Sequence, residues 1–89
     1  MWDHISFSTY ILYSETTDKF YIGSTQDLEK RLQRHNSKHM IATKAGVPWK
    51  VVWFQNFETR AEAYSKEMEI KKKKSRKYIE WLIDSTNVG

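Results

Sequence analysis

The chain has 89 residues, a net charge of +4, a pI near 9.4 and no cysteine, which excludes disulfide staples and thiolate metal sites. Near the lower size limit for a hydrophobic core, burial falls to four Trp, five Tyr and four Phe. No apolar run approaches the roughly 20 residues of a membrane-spanning helix, and "MWDHISFSTY" lacks the basic start and apolar stretch of a signal peptide. The expectation is therefore a single soluble, cytoplasmic domain over residues 1–89.

Residues 7–13, "FSTYILY", combine aromatic and β-branched types and predict a strand. The polar turn "SETTDK" follows, and "FYIGS" predicts the returning strand of a hairpin. Period-two alternation sets Tyr10 and Leu12 on one face and Phe20 with Ile22 on one face, so Tyr21 points away from Phe20 and Ile22. A helix is expected over residues 27–38, capped by Ser24 or Thr25, with Leu28 and Leu32 as its apolar rows and Asp27 and Glu29 early, where the dipole favours them. Gly46 and Pro48 mark residues 39–49 as a loop. The nearly continuous apolar run in residues 50–57, "KVVWFQNF", suits the central strand of a small sheet.

Thr59 and Glu62 form a capping-box pattern that opens a second helix. Ser75 offers a cap for a short last helix, with Tyr78, Trp81 and Leu82 at i, i+3 and i+4. The order β-β-α-β-α-α predicts an α/β protein in which helices flank a small three-stranded antiparallel sheet. Repeated βαβ units, which a doubly wound sheet needs, are missing.

Charge is uneven. Residues 60–77 hold eight Lys or Arg against three Glu, which suits either a solvated helix surface or a polyanionic partner, nucleic acid before membrane. The run Lys71, Lys72, Lys73 and Lys74, followed by Arg76, complements a helix C-terminus or contacts a phosphate backbone.

Three groups of residues could carry chemistry. Arg31 and His35 lie i, i+4 on one helix face. They are either part of a solvated surface, with Glu29, Lys30 and Arg34, or a phosphate fork beside a proton-transfer group. Glu67 is bracketed by Ala63 and Ile70 on one face of the second helix. A carboxylate there needs a cation, and Mg²⁺ is commonly held by one carboxylate with phosphate oxygens and water. The alternative stripe Ala61, Tyr64 and Met68 would leave Glu67 at the core margin. Among the strand tyrosines Tyr10, Tyr13 and Tyr21, a phenol becomes a base near neutral pH only where cations lower its pKa. Gly23 permits a close backbone approach.

Together "TYIL" at 9–12, "YIGST" at 21–25, "LEKRLQRHN" at 28–36, "PWKVVWF" at 48–54 and "EAYSKEMEIKK" at 62–72 resemble the GIY-YIG endonuclease family. The similarity is greatest to small stand-alone members, which are themselves similar to the N-terminal nuclease domain of the excinuclease ABC complex. It covers about residues 7–84. Tyr10 matches the first-triplet tyrosine, with Ser8 and Thr9 replacing Gly and Ile, and Tyr21-Ile22-Gly23 is the second triplet intact. No residue matches the C-terminal asparagine of many members, because Asn87 lies very late.

The resemblance implies a DNA endonuclease that nicks one strand at a time. Glu67 would hold Mg²⁺ (or Mn²⁺), Arg31 would stabilise phosphoryl charge, and Tyr10 or Tyr21, with His35 relaying, would activate water. The alternative of another class is a non-catalytic nucleic-acid-binding module that uses the same basic surface. Little surface is left for sequence recognition, so substrate choice by DNA structure or by a protein partner is expected.

Overall fold

The computed structural model describes residues 6–86. Asn87 lies outside them, as do the first five residues of the N-terminal stretch read for a signal peptide. The elements are β1 (Phe7–Ser14), β2 (Lys19–Thr25), α1 (Leu28–Asn36), a 3-10 turn at Lys44–Gly46, β3 (Trp49–Phe57), α2 (Arg60–Lys73) and α3 (Arg76–Thr86). This is the predicted β-β-α-β-α-α order around a three-stranded antiparallel sheet.

The strand order is β2-β1-β3, so β1 is central and β3 is an edge strand, contrary to the reading of its apolar run. The reason lies in a register shift. Ile11 pairs with Trp53 and Leu12 with Val51, leaving Val52 as an extra residue. The bulge changes the phase of the alternation, so a continuous apolar run need not mean burial on both faces. Lys50, Phe54, Gln55 and Asn56 are exposed, whereas Thr9, Tyr10, Ile11 and Leu12 of β1 are all buried.

The two sheet faces carry separate cores. On one, Tyr10, Leu12, Tyr21, Trp49 and Val51 pack with Leu28 and Leu32 of α1. On the other, Ile11, Ile22 and Trp53 pack with Ile70 of α2 and with Ile79 and Leu82 of α3. The predicted alternation holds. Because Tyr10 pairs with Gly23 and Leu12 with Tyr21, both tyrosines share the α1 face.

The cap of α1 is Asp27, whose side chain accepts from the Lys30 N–H, rather than Ser24 or Thr25. Thr25 Oγ1 instead accepts from the Asp27 N–H and shapes the turn before the helix. The helix stops at Asn36, two residues short of the expectation, and Lys38 takes a left-handed φ of 67°. In α2 the Thr59–Glu62 capping box is present. In α3 Ser75 Oγ accepts from the Tyr78 N–H as expected, yet the buried stripe is Ile79 and Leu82. Trp81 is 60% exposed and stacks with Tyr78 outside the core. The aliphatic residues fit against Trp53 and Ile70, while the Tyr78 hydroxyl needs a polar partner and donates to Glu69.

Candidate functional site

The central strand brings Tyr10 beneath α1. Its side chain is 1% exposed, and its hydroxyl lies 3.1 Å from Nε2 of His35, itself fully buried. The other ring nitrogen, Nδ1, lies 3.0 Å from Oγ1 of Thr43 in the loop before β3. The Thr43 carbonyl accepts from the Trp49 indole N–H at 2.7 Å, which fixes the loop over the ring. Gly23 makes this arrangement possible. A Cβ built there would stand 2.5 Å from the Tyr10 hydroxyl oxygen, so the phenol passes directly over the glycine backbone.

Burial pushes the Tyr10 phenol up to about 12. The Arg31 guanidinium opposes that rise, and the charges of Tyr21 and Glu67 add to it. Burial holds the His35 imidazole below its ordinary value, and the positive charges of Arg31 and Arg34 lower it further. At neutral pH the ring is therefore uncharged, with one nitrogen donating and the other accepting between two hydroxyls.

Tyr21 stands on the same face, its ring 4.7 Å from that of His35 and 6.3 Å from that of Trp49. It is half-buried, and its hydroxyl makes no hydrogen bond to another described residue. Arg31 is half-buried one turn before His35. Among the described residues no carboxylate pairs with it.

Glu67 comes from the opposite layer. Ala63, Glu67 and Ile70 are the buried residues of α2, and Tyr64 of the alternative stripe is 56% exposed. Oε1 accepts from Ser24 Oγ at 2.7 Å, and Oε2 accepts from Lys71 Nζ at 2.6 Å. Ser24 directly follows the glycine under Tyr10, so the carboxylate sits at the same end of the sheet, within electrostatic reach of the phenol. The available donors, a carboxylate and a hydroxyl, are hard oxygens of the kind that Mg²⁺ or Mn²⁺ takes, with water and phosphate completing the shell. No cluster of three metal-ligating side chains occurs among the described residues.

The C-terminal cations are distributed differently. Lys71 is bound to Glu67, and Arg76 donates to the Asp18 carbonyl and carboxylate and to Glu80. Lys73 lies 5.2 Å over the Tyr78 ring, and Lys72 and Lys73 flank an open groove beside Tyr64 and Met68. Lys74 caps α2 in a left-handed conformation.

Sequence reasoning missed Thr43 as a partner of the buried histidine. It lies in an irregular loop, where no periodicity indicates which side chain turns inward. Ser24 reads from sequence only as a helix cap, yet its hydroxyl serves the carboxylate 43 positions later.

Comparison with known proteins agrees with this fold. The pattern of the GIY-YIG catalytic domain matches residues 6–79. A UPF0213 protein of Streptococcus pneumoniae serotype 4 is 39% identical over 67 residues, covering 74% of this chain and 68% of its own length. A UPF0213 protein of Haloquadratum walsbyi is 32% identical over 82 residues, covering 90% of this chain and 92% of its own. The solution NMR structure of a UPF0213 protein from Bacillus halodurans superposes with a TM-score of 0.60 at 28% identity, over 94% of this chain and 88% of that one.

Proposed function

The chain belongs to the GIY-YIG catalytic domain family, and on that premise we propose that it is a metal-dependent endonuclease that nicks DNA. The observation that carries this reading is the convergence of four polar side chains and a carboxylate on one end of the sheet. Tyr10 and His35 are hydrogen-bonded, the Tyr21 ring lies tilted against the imidazole, and Arg31 and Glu67 both act on the Tyr10 phenol. Neither a packing unit nor a plain binding face requires an unpaired arginine beside a buried imidazole and a buried carboxylate.

Each residue has a distinct task. Arg31, free of a carboxylate partner, forks onto the phosphoryl oxygens where negative charge grows. Tyr21 has a hydroxyl uncommitted among the described residues and is the phenol assigned to activate water. Tyr10, committed to His35 and kept neutral by burial, orients the imidazole. Glu67, with Ser24 beside it, would hold Mg²⁺ or Mn²⁺. When bound, the ion supplies Lewis-acid stabilisation of the scissile phosphate and the leaving oxygen. With so little surface beyond the site, substrate choice rests on DNA structure or on a protein partner.

The test is a nicking assay on supercoiled DNA with Mg²⁺ or Mn²⁺, comparing wild type with Glu67→Ala and Arg31→Ala. Metal-dependent nicking that both substitutions abolish is expected. Equal cutting by Glu67→Ala would remove the metal assignment. One observation favours a second reading, a nucleic-acid-binding module without catalysis: Lys71 already neutralises Glu67, so the carboxylate is satisfied without a metal. DNA binding by wild type without nicking under any divalent ion would establish that alternative.

A further inference from the structure

Beside the candidate site, the β2–α1 turn, α1 and the start of α2 border an open cavity of about 310 Å³. Its walls carry Lys30, Arg31, Arg34 and Arg60, with Asp27 as the one carboxylate among the lining residues and Ser24 also lining it. Asp27 is occupied as the helix cap, accepting from the Lys30 N–H. No ion pair to Lys30, Arg31, Arg34 or Arg60 occurs among the described residues. The Arg60 guanidinium rests 4.9 Å over the Phe7 ring, which positions it while leaving its N–H donors available.

Four cations around one small cavity repel one another unless an anion fills it. Some basic groups elsewhere in the chain are paired. Lys50, Lys66, Lys71 and Arg76 each have a carboxylate within 3.2 Å. Among the described residues Lys19, Lys38, Lys44, Lys72, Lys73, Lys74 and Lys77 also lack an ion pair, but four unpaired cations, three of them arginines, line this one cavity. Two of its lining residues belong to the catalytic arrangement as well: Arg31 acts on Tyr10, and Ser24 donates to Glu67. The cavity therefore opens directly beside the position assigned to the scissile phosphate.

The geometry points to a second phosphate subsite, formed by Lys30, Arg34 and Arg60, that holds a backbone phosphate next to the one being cut. The identification of the anion as nucleic-acid phosphate rests on the function proposed above. Lys30 and Arg34, which on sequence alone read as ordinary surface charge, fix the direction in which the strand leaves the site. The strand then runs along the α1–α2 cleft rather than over the lysine-rich end of α2. These contacts are to backbone, so they set register without reading sequence.

The test is DNA binding in EDTA, measured by fluorescence anisotropy with a labelled mixed-sequence duplex between about 50 and 200 mM salt, since removing one phosphate-binding cation makes the log–log salt slope shallower by about one. The proteins compared are wild type, the double variant Arg34→Gln/Arg60→Gln and the double variant Lys72→Gln/Lys74→Gln. All four positions are exposed, and a circular-dichroism melt checks the fold of each variant. The expected result is a slope shallower by about two in the arginine variant, with affinity reduced for every duplex sequence alike. An unchanged slope in that variant overturns the subsite, as does a loss confined to the lysine variant. Wild-type nicking separates the two readings. If the arginine variant loses slope while wild type never cuts, the subsite stands and the nuclease reading fails. If wild type cuts and the arginine slope is unchanged, only the subsite falls.

Discussion

The Tyr10 hydroxyl stands 3.1 Å from Nε2 of His35, joining the middle of the central strand to the last turn of the first helix. Both groups are buried, so each is the other's replacement for water. Tyr10→Phe leaves one imidazole nitrogen without its partner and should cost about 1–3 kcal/mol, read as a lower melting temperature. Tyr21→Phe removes a hydroxyl with no partner among the described residues and should leave stability nearly unchanged. On single-turnover nicking the order reverses, with Tyr21→Phe losing at least about 100-fold and Tyr10→Phe less.

Gly23 governs the same contact from below. Adding one methyl group in Gly23→Ala drives it into the Tyr10 phenol. Because the phenol is enclosed, the ring must tilt away from His35 or the two strands must part. The expected outcome is a loss of about 1–3 kcal/mol, together with a changed chemical shift for the His35 ring nitrogens in ¹⁵N NMR. A substitution with the wild-type His35 spectrum and melting temperature would show that the phenol has room the close approach denies.

The neutral state of His35 makes stability depend on pH in a defined window. Burial, then Arg31 and Arg34, lower its pKa in the folded chain below the value of about 6.5 that holds when unfolded. The unfolded state therefore binds the proton first as pH falls. Stability from this group is present above about pH 6.5 and is lost progressively on acidification down to the folded pKa. Thermal melts between about pH 7 and 5 should show a falling midpoint, and His35→Gln should flatten that slope. Asp18 and Glu69, whose carboxyls lie below the usual range, act only in a more acidic window.

Under the proposed metal assignment, Lys71 and a divalent cation would compete for Glu67. The ammonium lies 2.6 Å from Oε2, yet it is 46% exposed and is free to swing into water. Lys71→Ala should tighten Mn²⁺ binding by calorimetry, because the ion no longer displaces an internal cation. The same change should destabilise the metal-free protein by no more than about 1 kcal/mol, since the lysine end of the pair is solvated. Glu67→Gln should abolish Mn²⁺ binding. Tight Mn²⁺ binding by that variant would move the metal elsewhere.

Much of the fold can be read from the chain because its signals are local. The Thr59–Glu62 box and the alternation through Tyr10, Leu12 and Tyr21 each fix an element or a face within a few residues. The position of β3 cannot be read this way, because an apolar run does not reveal a bulge at Val52 that depends on its partner strand. The face expected for α3 is off by one residue for a related reason. Trp81 is the most apolar-looking surface of that helix, but the space beneath it suits Ile79 and Leu82. The five candidate site residues are far apart in sequence and are gathered by resemblance to a family pattern. The supporting contacts of Thr43 and Ser24 depend on loop geometry and on a partner in another layer, which no spacing encodes.

The bulge at Val52 has a further effect on how the molecule behaves in company. As an edge strand over Trp49–Phe57, β3 has one side without a partner strand among the described residues, and the Trp49 N–H and carbonyl are taken by the Asn36 side chain. A flat edge of that length would accept a strand from another copy and begin a stack of sheets. The extra residue bends the strand midway and breaks the ladder that such a visitor would need to follow. Exposed Lys50 adds charge at the near end of the same edge. The irregularity that obscures the strand's place in the sheet thus also guards this aromatic-rich chain against self-association.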